Sequence, residues 1–159
     1  MLKRYAVSAA ALVAILIVGP ANAQSDRAAD KAAAEKTVRE FVTSFATATN
    51  DDKKIVSYIY EPWMQLGTGK VLNHAEAEKN VAEFRSTFPK DYDHLNVKQL
   101  SGKMLGKDFA MVSYVGERQA KDNKVLATVA GSFFVRRTDA GWKVAAGISY
   151  PPEDYIKLD

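Results

Sequence analysis

Val38, Phe41, Val42 and Phe45 recur at the i, i+3, i+4, i+7 spacing of one helical face, with polar residues between them. The stretch SDRAADKAAAEKTVREFVTSFATATN is therefore predicted to be a first helix, capped by Ser25 or Asp26. Its Ala-rich start has high helix propensity but little apolar surface to bury. Asp51 or Asp52 is expected to start a short second helix through KKIVSYIY, which Pro62 stops. WMQL and KVL flank Gly67-Thr68-Gly69, a hairpin signal. Asn73 with Glu76 three residues later is a capping-box variant. It opens a third helix whose apolar stripe is Ala77, Val81, Phe84 and Phe88, ended by Pro89.

From His94 the period changes from helical to alternating. HLNVKQLSGKML, FAMVSYVGERQA, KVLATVAGSFFVRR and GWKVAAGISY are strands joined by GKD, KDN and TDAG, all turn compositions. Helices followed by a strand meander predict an α+β domain: three N-terminal helices packed on a strongly curved, mainly antiparallel sheet. A two-residue turn at Asp122-Asn123, a four-residue turn at TDAG and a turn at Gly106-Lys107 give a register. One face then collects Leu95, Val97, Gln99, Ser101, Ala110, Val112, Tyr114 and Arg118. It continues with Val129, Gly131, Phe133, Val135, Trp142, Val144, Ala146, Ile148 and Tyr150. This face is nearly all apolar and is expected to meet the helices, with the Tyr114 ring beside the missing side chain of Gly131. The other face collects Ser113, Val115, Glu117, Thr128, Ala130, Ser132, Phe134, Lys143, Ala145 and Ser149, small and mixed, suited to pairing with a second copy. A one-residue slip would exchange the two sets.

The first residues have a separate meaning. MLKR is a basic start, YAVSAAALVAILIVG an apolar run, and Ala21-Asn22-Ala23 a small-x-small site before Gln24. These three parts make a secretory signal peptide over 1–23, with cleavage after Ala23, leaving 24–159 as a single domain. The apolar run is short for a membrane span, which takes ~20 residues, so no stable membrane anchor is expected after cleavage. Loss of Lys3 and Arg4 takes the formal charge from +3 to about +1. No run of Lys or Arg survives to suggest nucleic-acid binding. The chain has no Cys, hence no disulfide and no thiolate metal site. A bacterial periplasmic or secreted location fits.

The first-helix stripe VREFVTSF, the hairpin and helix GTGKVLNHAEAEKNVAEF and the closing RRTDAGWKVAAG together resemble the nuclear transport factor 2-like superfamily. Within it the chain is most similar to SnoaL-like and ketosteroid-isomerase-like small exported proteins. The resemblance covers nearly all of 24–159. It implies a cone-shaped, cystatin-like roll, with the bent sheet wrapping the helices around an apolar pocket. Members use that pocket for isomerase, cyclase or dehydratase chemistry, for ligand binding, or as an interaction surface.

The isomerase chemistry of that family uses a carboxylate base with an oxyanion hole of a phenol and a protonated acid. Here Met64 or Gln65 stands where the base would be sought, and Phe41 and Phe45 where the phenol would be. A dehydratase design needs an inward His with a carboxylate partner. His94 follows Asp91 and Asp93, but KDYDH reads as a solvated loop, and His74 as a solvated residue. Two His with no Cys make no metal case, and no Gly-rich phosphate loop or Gly-x-Ser-x-Gly elbow is present. No catalytic residue, metal or cofactor is assigned.

A binding pocket remains. Trp63, Tyr114 and Tyr150 supply apolar walls with polar tips, Gln65 and Gln99 amides, Arg118 a charge for a carboxylate, and Tyr58 a cover at the mouth. The expected partners are a small apolar or carboxylate ligand and a second copy across the exposed sheet face. The expected function is non-catalytic ligand binding or protein interaction. The alternatives are an isomerase or lyase in the same pocket, working through Gln65 or His94, and a structural homodimer.

Overall fold

The computed structural model describes residues 20–48 and 51–158, with side chains from Asp26 onward. The leader read over 1–23 lies outside the described residues except for 20–23, which open the first helix. No described helix is long and apolar enough to cross a membrane.

The chain forms α1 (Pro20–Thr43), α2 (Asp52–Ser57), β1 (Ile59–Gln65), β2 (Lys70–Leu72) and α3 (His74–Ser86). Four long strands follow: β3 (His94–Met104), β4 (Phe109–Gln119), β5 (Val125–Thr138) and β6 (Gly141–Tyr150), closed by a short 3-10 turn, Pro152–Asp154. One sheet of order β2-β1-β6-β5-β4-β3 curls around the helices. Among the described strands only β1 and β6 run parallel. This is the α+β architecture that the pattern predicts.

The local signals act where they stand in sequence. Asp51 caps α2 by accepting from the Lys54 N–H, and Asn73 with Glu76 closes a full capping box on α3. Four boundaries differ from expectation. Helix α1 starts at Pro20, so Ser25 and Asp26 lie within it rather than capping it, and α3 ends at Ser86, leaving Phe88 beyond it. Helix α1 ends at Thr43, although Phe45 beyond it is still buried. Helix α2 ends at Ser57, and Ile59 and Tyr60 belong to β1, because the sheet claims them: Val144 N–H donates to Tyr58 O, and Ile59 pairs with Val144. The Glu61–Pro62 peptide is cis. Pro62, which has no N–H to give, falls where the β1–β6 pairing is interrupted, between Ile59 and Met64.

The register of β4 and β5 is the expected one, with Tyr114 opposite Gly131 and Val112 opposite Phe133. Two bulges alter the rest. The β3–β4 turn is one residue longer than a two-residue turn at Gly106-Lys107, so Met104 pairs with Ala110. A bulge between Val97 and Gln99 then restores the predicted pairs Val97–Gly116 and Leu95–Arg118. Leu95 and Val97 therefore face inward as expected. Gln99 and Ser101 do not, and Leu100, Gly102 and Met104 take the inner face between them and the turn. In β6 an irregularity beyond Val144 puts Gly147 opposite Phe133 and Ser149 opposite Gly131. Trp142 and Val144 stay inside, whereas Ala146, Ile148 and Tyr150 move to the outer face. In both strands the reason is packing: the inner surface needs the residues that fit under the helices, and a bulge costs one unpaired residue to supply them.

The core gathers Val38, Phe41 and Val42 of α1 with Ile55, Trp63, Val81, Val112, Phe133, Val135 and Val144. Glu35 on α1 accepts from the Gly102 N–H at 2.8 Å and from Lys31 at 2.7 Å. It thereby occupies the edge of β3 that would otherwise be open to another strand. Trp142 is only 9% exposed, and the Arg137 guanidinium lies 5.3 Å from its ring centroid. Trp142→Ala should cost ~3–5 kcal/mol, read as a lower denaturation midpoint at unchanged slope. An unchanged midpoint would place that ring outside the core.

Candidate functional site

A chain of aromatic rings fills the space between helices and sheet. Tyr114 stacks on Phe133 at 5.9 Å, Phe133 meets Phe41 edge-on at 5.4 Å, and Phe41 meets Phe45 at 5.5 Å. Phe45 continues to Phe88 at 6.1 Å, and Phe88 to Tyr92 at 4.8 Å. Arg118 closes the circuit, with its guanidinium carbon 4.1 Å above the Phe88 ring and 5.7 Å from Phe84. Phe41 comes from α1 and Phe84 from α3, Phe45 and Phe88 from just past the ends of those helices, and alternate residues of β4 and β5 supply Tyr114, Arg118 and Phe133. Pro89 ends α3 and turns the chain so that Tyr92 folds back on Phe88; Tyr92 N–H donates to Pro89 O.

The polar atoms here lack protein partners. Among the described residues Arg118 makes no ion pair and no side-chain hydrogen bond. Tyr92 is 9% and Tyr114 8% exposed, and neither hydroxyl is hydrogen-bonded among the described residues. Burial pushes the Tyr114 phenol up to about 12, against the opposing pull of Arg118. Burial also raises Tyr92, with Arg118 and then Arg85 pulling it down. Asp93, only partly buried, adds a smaller push upward on Tyr92; no acid or imidazole is among the buried polar side chains of the described residues, which are Ser44, Ser113, Gln119 and Ser132.

The other predicted site residues are dispersed. Gln65 is half-buried, but its amide donates to Asn80 of α3 and its oxygen accepts from Thr68. Trp63 is a core residue whose Nε1 is fully buried and unpaired. Tyr58 caps the end of α2 against the core, its phenol raised by burial and then by Glu40. Gln99 is exposed on the outer face, opposite Val115. Tyr150 is also outside: its hydroxyl meets Ser132 Oγ at 2.8 Å, which meets Ser113 Oγ at 2.7 Å. Both departures follow from the bulges. Tyr114 and Arg118 are thus the predicted residues that the fold brings together, and Tyr92 joins them from the stretch read as a solvated loop. Its signal in the sequence was an aromatic four residues beyond Phe88.

The two histidines are more engaged than a solvated reading allows. His94 Nδ1 lies 2.9 Å from Asp93 Oδ2, both about one-third exposed. The pair opens onto a shallow depression of about 480 Å³ lined also by Arg39, Glu40, Gln119 and Asn123. His74 Nε2 donates to Ile59 O at 3.1 Å, and its Nδ1 lies 3.2 Å from Glu61. A second depression, of about 620 Å³, lies between Asp26, Arg27 and Asp30 of α1 and Met104, Lys107 and Arg137. There Arg137 pairs with Asp30, which ties α1 to β5. Neither depression is lined by the aromatic circuit.

Solved structures share this arrangement at low sequence identity. An NTF2-like protein with a cystatin-like fold from Novosphingobium aromaticivorans aligns with a TM-score of 0.65 at 13% identity, over 88% of this chain and 93% of that one. A ketosteroid isomerase-like protein from Erwinia carotovora atroseptica aligns at 0.54 and 19% identity, over 77% and 98%. A candidate scytalone dehydratase from Novosphingobium aromaticivorans aligns at 0.58 and 12% identity, over 86% and 92%. These likenesses speak to the fold. No curated protein sequence matches the chain. The family model described as NTF2-like protein (DUF6841) matches residues 30–152, from the middle of α1 through the last strand. The chain therefore belongs to this NTF2-like family, within a fold whose members include isomerases, dehydratases and ligand-binding proteins.

Proposed function

We propose that this protein is an exported, non-catalytic binding domain that holds a small apolar acid at the aromatic inner face of its sheet. One observation carries the reading: Arg118 stands on that face, stacked on Phe88, with no carboxylate partner among the described residues. A cation set over an aromatic ring gains ~0.5–2 kcal/mol, yet an unpaired charge among apolar side chains remains under-satisfied. A carboxylate ligand supplies what is missing, and the surrounding phenylalanines suit an apolar body.

Proton-abstraction chemistry fits less well. It needs an acid or imidazole buried against apolar walls, and the Asp93–His94 pair lies at the surface beside a polar depression. A lyase or isomerase working through Gln65 is disfavoured because Asn80 and Thr68 already hold that amide.

Thermal-shift screening of benzoate and hexanoate, then calorimetry, tests the reading. Arg118→Met should weaken the acids by ~1.5–3 kcal/mol, roughly tenfold or more, with little change in stability. A turnover that survives Arg118→Met and is lost in His94→Ala would replace the binding reading with an enzymatic one.

The outer sheet face suits a second copy. Val71, Met64, Ala146 and Phe134 are successive cross-strand neighbours over β2, β1, β6 and β5, and Phe109 stacks on Phe134 at 5.8 Å. Val71 is 54% and Met64 42% exposed. Ser132 and Ala130, the expected centre of that surface, are buried within the single chain, so the proposed contact shifts towards Met64 and Phe134. Sedimentation should show a dimer that Met64→Lys converts to a folded monomer. A wild type that is monomeric at high concentration removes this part.

A further inference from the structure

Resting on the Arg118 reading, we infer that Tyr92, Tyr114 and Arg118 form one oxyanion subsite, in which two phenol hydroxyls and the guanidinium edge together bind a planar carboxylate.

The geometry begins with Phe88. Its ring carries Arg118 on one contact, at 4.1 Å, and Tyr92 on another, at 4.8 Å between centroids. Tyr114 shares the inner face of β4 with Arg118, four residues earlier on the strand, and is held flat against Phe133. Arg118 also acts on both phenols, and Tyr92 on that of Tyr114, so the three groups are electrostatic neighbours where Arg118 closes the circuit. Each is a donor, and none has an acceptor among the described residues.

Such a grouping is costly unless something accepts from it. Tyrosines this buried ordinarily find a partner for the hydroxyl. Both phenol oxygens here also reach solvent-accessible space, because Trp63 Nε1 is the sole wholly buried side-chain polar atom without a partner among the described residues. The hydroxyls are thus not sealed off from solvent, while ring stacking on Phe133 and Phe88 holds them.

The donor count selects the ligand class. A carboxylate has about four acceptor positions in one plane. A guanidinium edge supplies two donors and the phenols one each, which satisfies that plane. A neutral amide accepts at one oxygen only, and its NH₂ would face further donors. Burial keeps Tyr114 protonated to about 12, so it stays a donor at ordinary pH. The polar end recognises carboxylate, and Phe84, 41% exposed beside Arg118, offers its ring to the ligand body.

The test is calorimetry with benzoate and benzamide on the full mature chain and on Tyr92→Phe, Tyr114→Phe and Arg118→Met. These Tyr→Phe changes remove a hydroxyl and leave the ring packing. The expected result is benzoate bound at least about tenfold more tightly than benzamide. Each Tyr→Phe should lose about tenfold for benzoate, with an unchanged or higher melting temperature, since neither hydroxyl bonds to the protein. Benzoate affinity lost in Arg118→Met but unchanged in both Tyr→Phe variants would overturn the three-donor subsite and leave the Arg118 reading standing. Affinity unchanged in Arg118→Met as well, or no benzoate binding by the wild type, would overturn both.

Discussion

The Phe133 ring needs the space where Gly147 lacks a side chain. A Cβ at Gly147 would lie 2.6 Å from Phe133 Cδ1 and 2.7 Å from Cε1, closer than any tolerable contact. The ring rests there because the irregularity in β6 brings Gly147, and no bulkier residue, opposite it. From that seat Phe133 meets Phe41 of α1 on one side and stacks on Tyr114 of β4 on the other. A similar close fit recurs next door, where a Cβ on Gly131 would meet Tyr114 Cε1 at 3.1 Å and Ile148 O at 2.8 Å. Two absent side chains therefore fix how the large rings lie, and the rings fix where α1 sits on the sheet.

The same packing separates the two faces functionally. Inward, it produces an aromatic lining with donors at one end and no acid or imidazole among its buried polar groups, which favours holding an oxyanion over moving a proton. Outward, the bulge in β6 sends Tyr150 to bond Ser132, which in turn bonds Ser113. The C-terminal residues then cross the outer face: Leu158 N–H donates to Ser101 Oγ at 2.9 Å. That covers the small-residue centre of the sheet and leaves Val71 and Met64 exposed beside Phe134. The family's fold supports isomerases and dehydratases elsewhere. In this chain the position sought for a base holds Met64 and Gln65, one exposed on the outer face and the other bonded to Asn80.

The sequence was most readable where the physics is local. Asp51 and the Asn73–Glu76 box announce their helices by chemistry complete within four residues, and the stripes of α1 and α3 announce their buried faces by period. Alternation also gave Tyr114 opposite Gly131, since β4 and β5 keep one register through the middle of their pairing. The misplacements of Gln99 and Tyr150 share one cause. A bulge adds a single residue and inverts every side chain beyond it, and Lys98 or Ala145 carries no local mark of that role. Ile59 and Tyr60 read as helix because the strand they join, with Ile59 paired to Val144, lies far along the chain. Tyr92 was hidden by charged neighbours, Asp91 and Asp93, which stay wet while the ring between them turns inward.

A double-mutant cycle on Gly147 and Phe133 tests most directly whether this seat holds the fold and its donors in place. Gly147→Ala alone should be destabilising by ~1–3 kcal/mol, the cost of overpacking a filled core, and should weaken benzoate binding as Phe133 pushes on Tyr114. Introduced into a Phe133→Leu background, Gly147→Ala should cost much less, giving a coupling energy of ~1 kcal/mol or more. Simple additivity of the two substitutions, with benzoate affinity untouched by Gly147→Ala, would contradict the account.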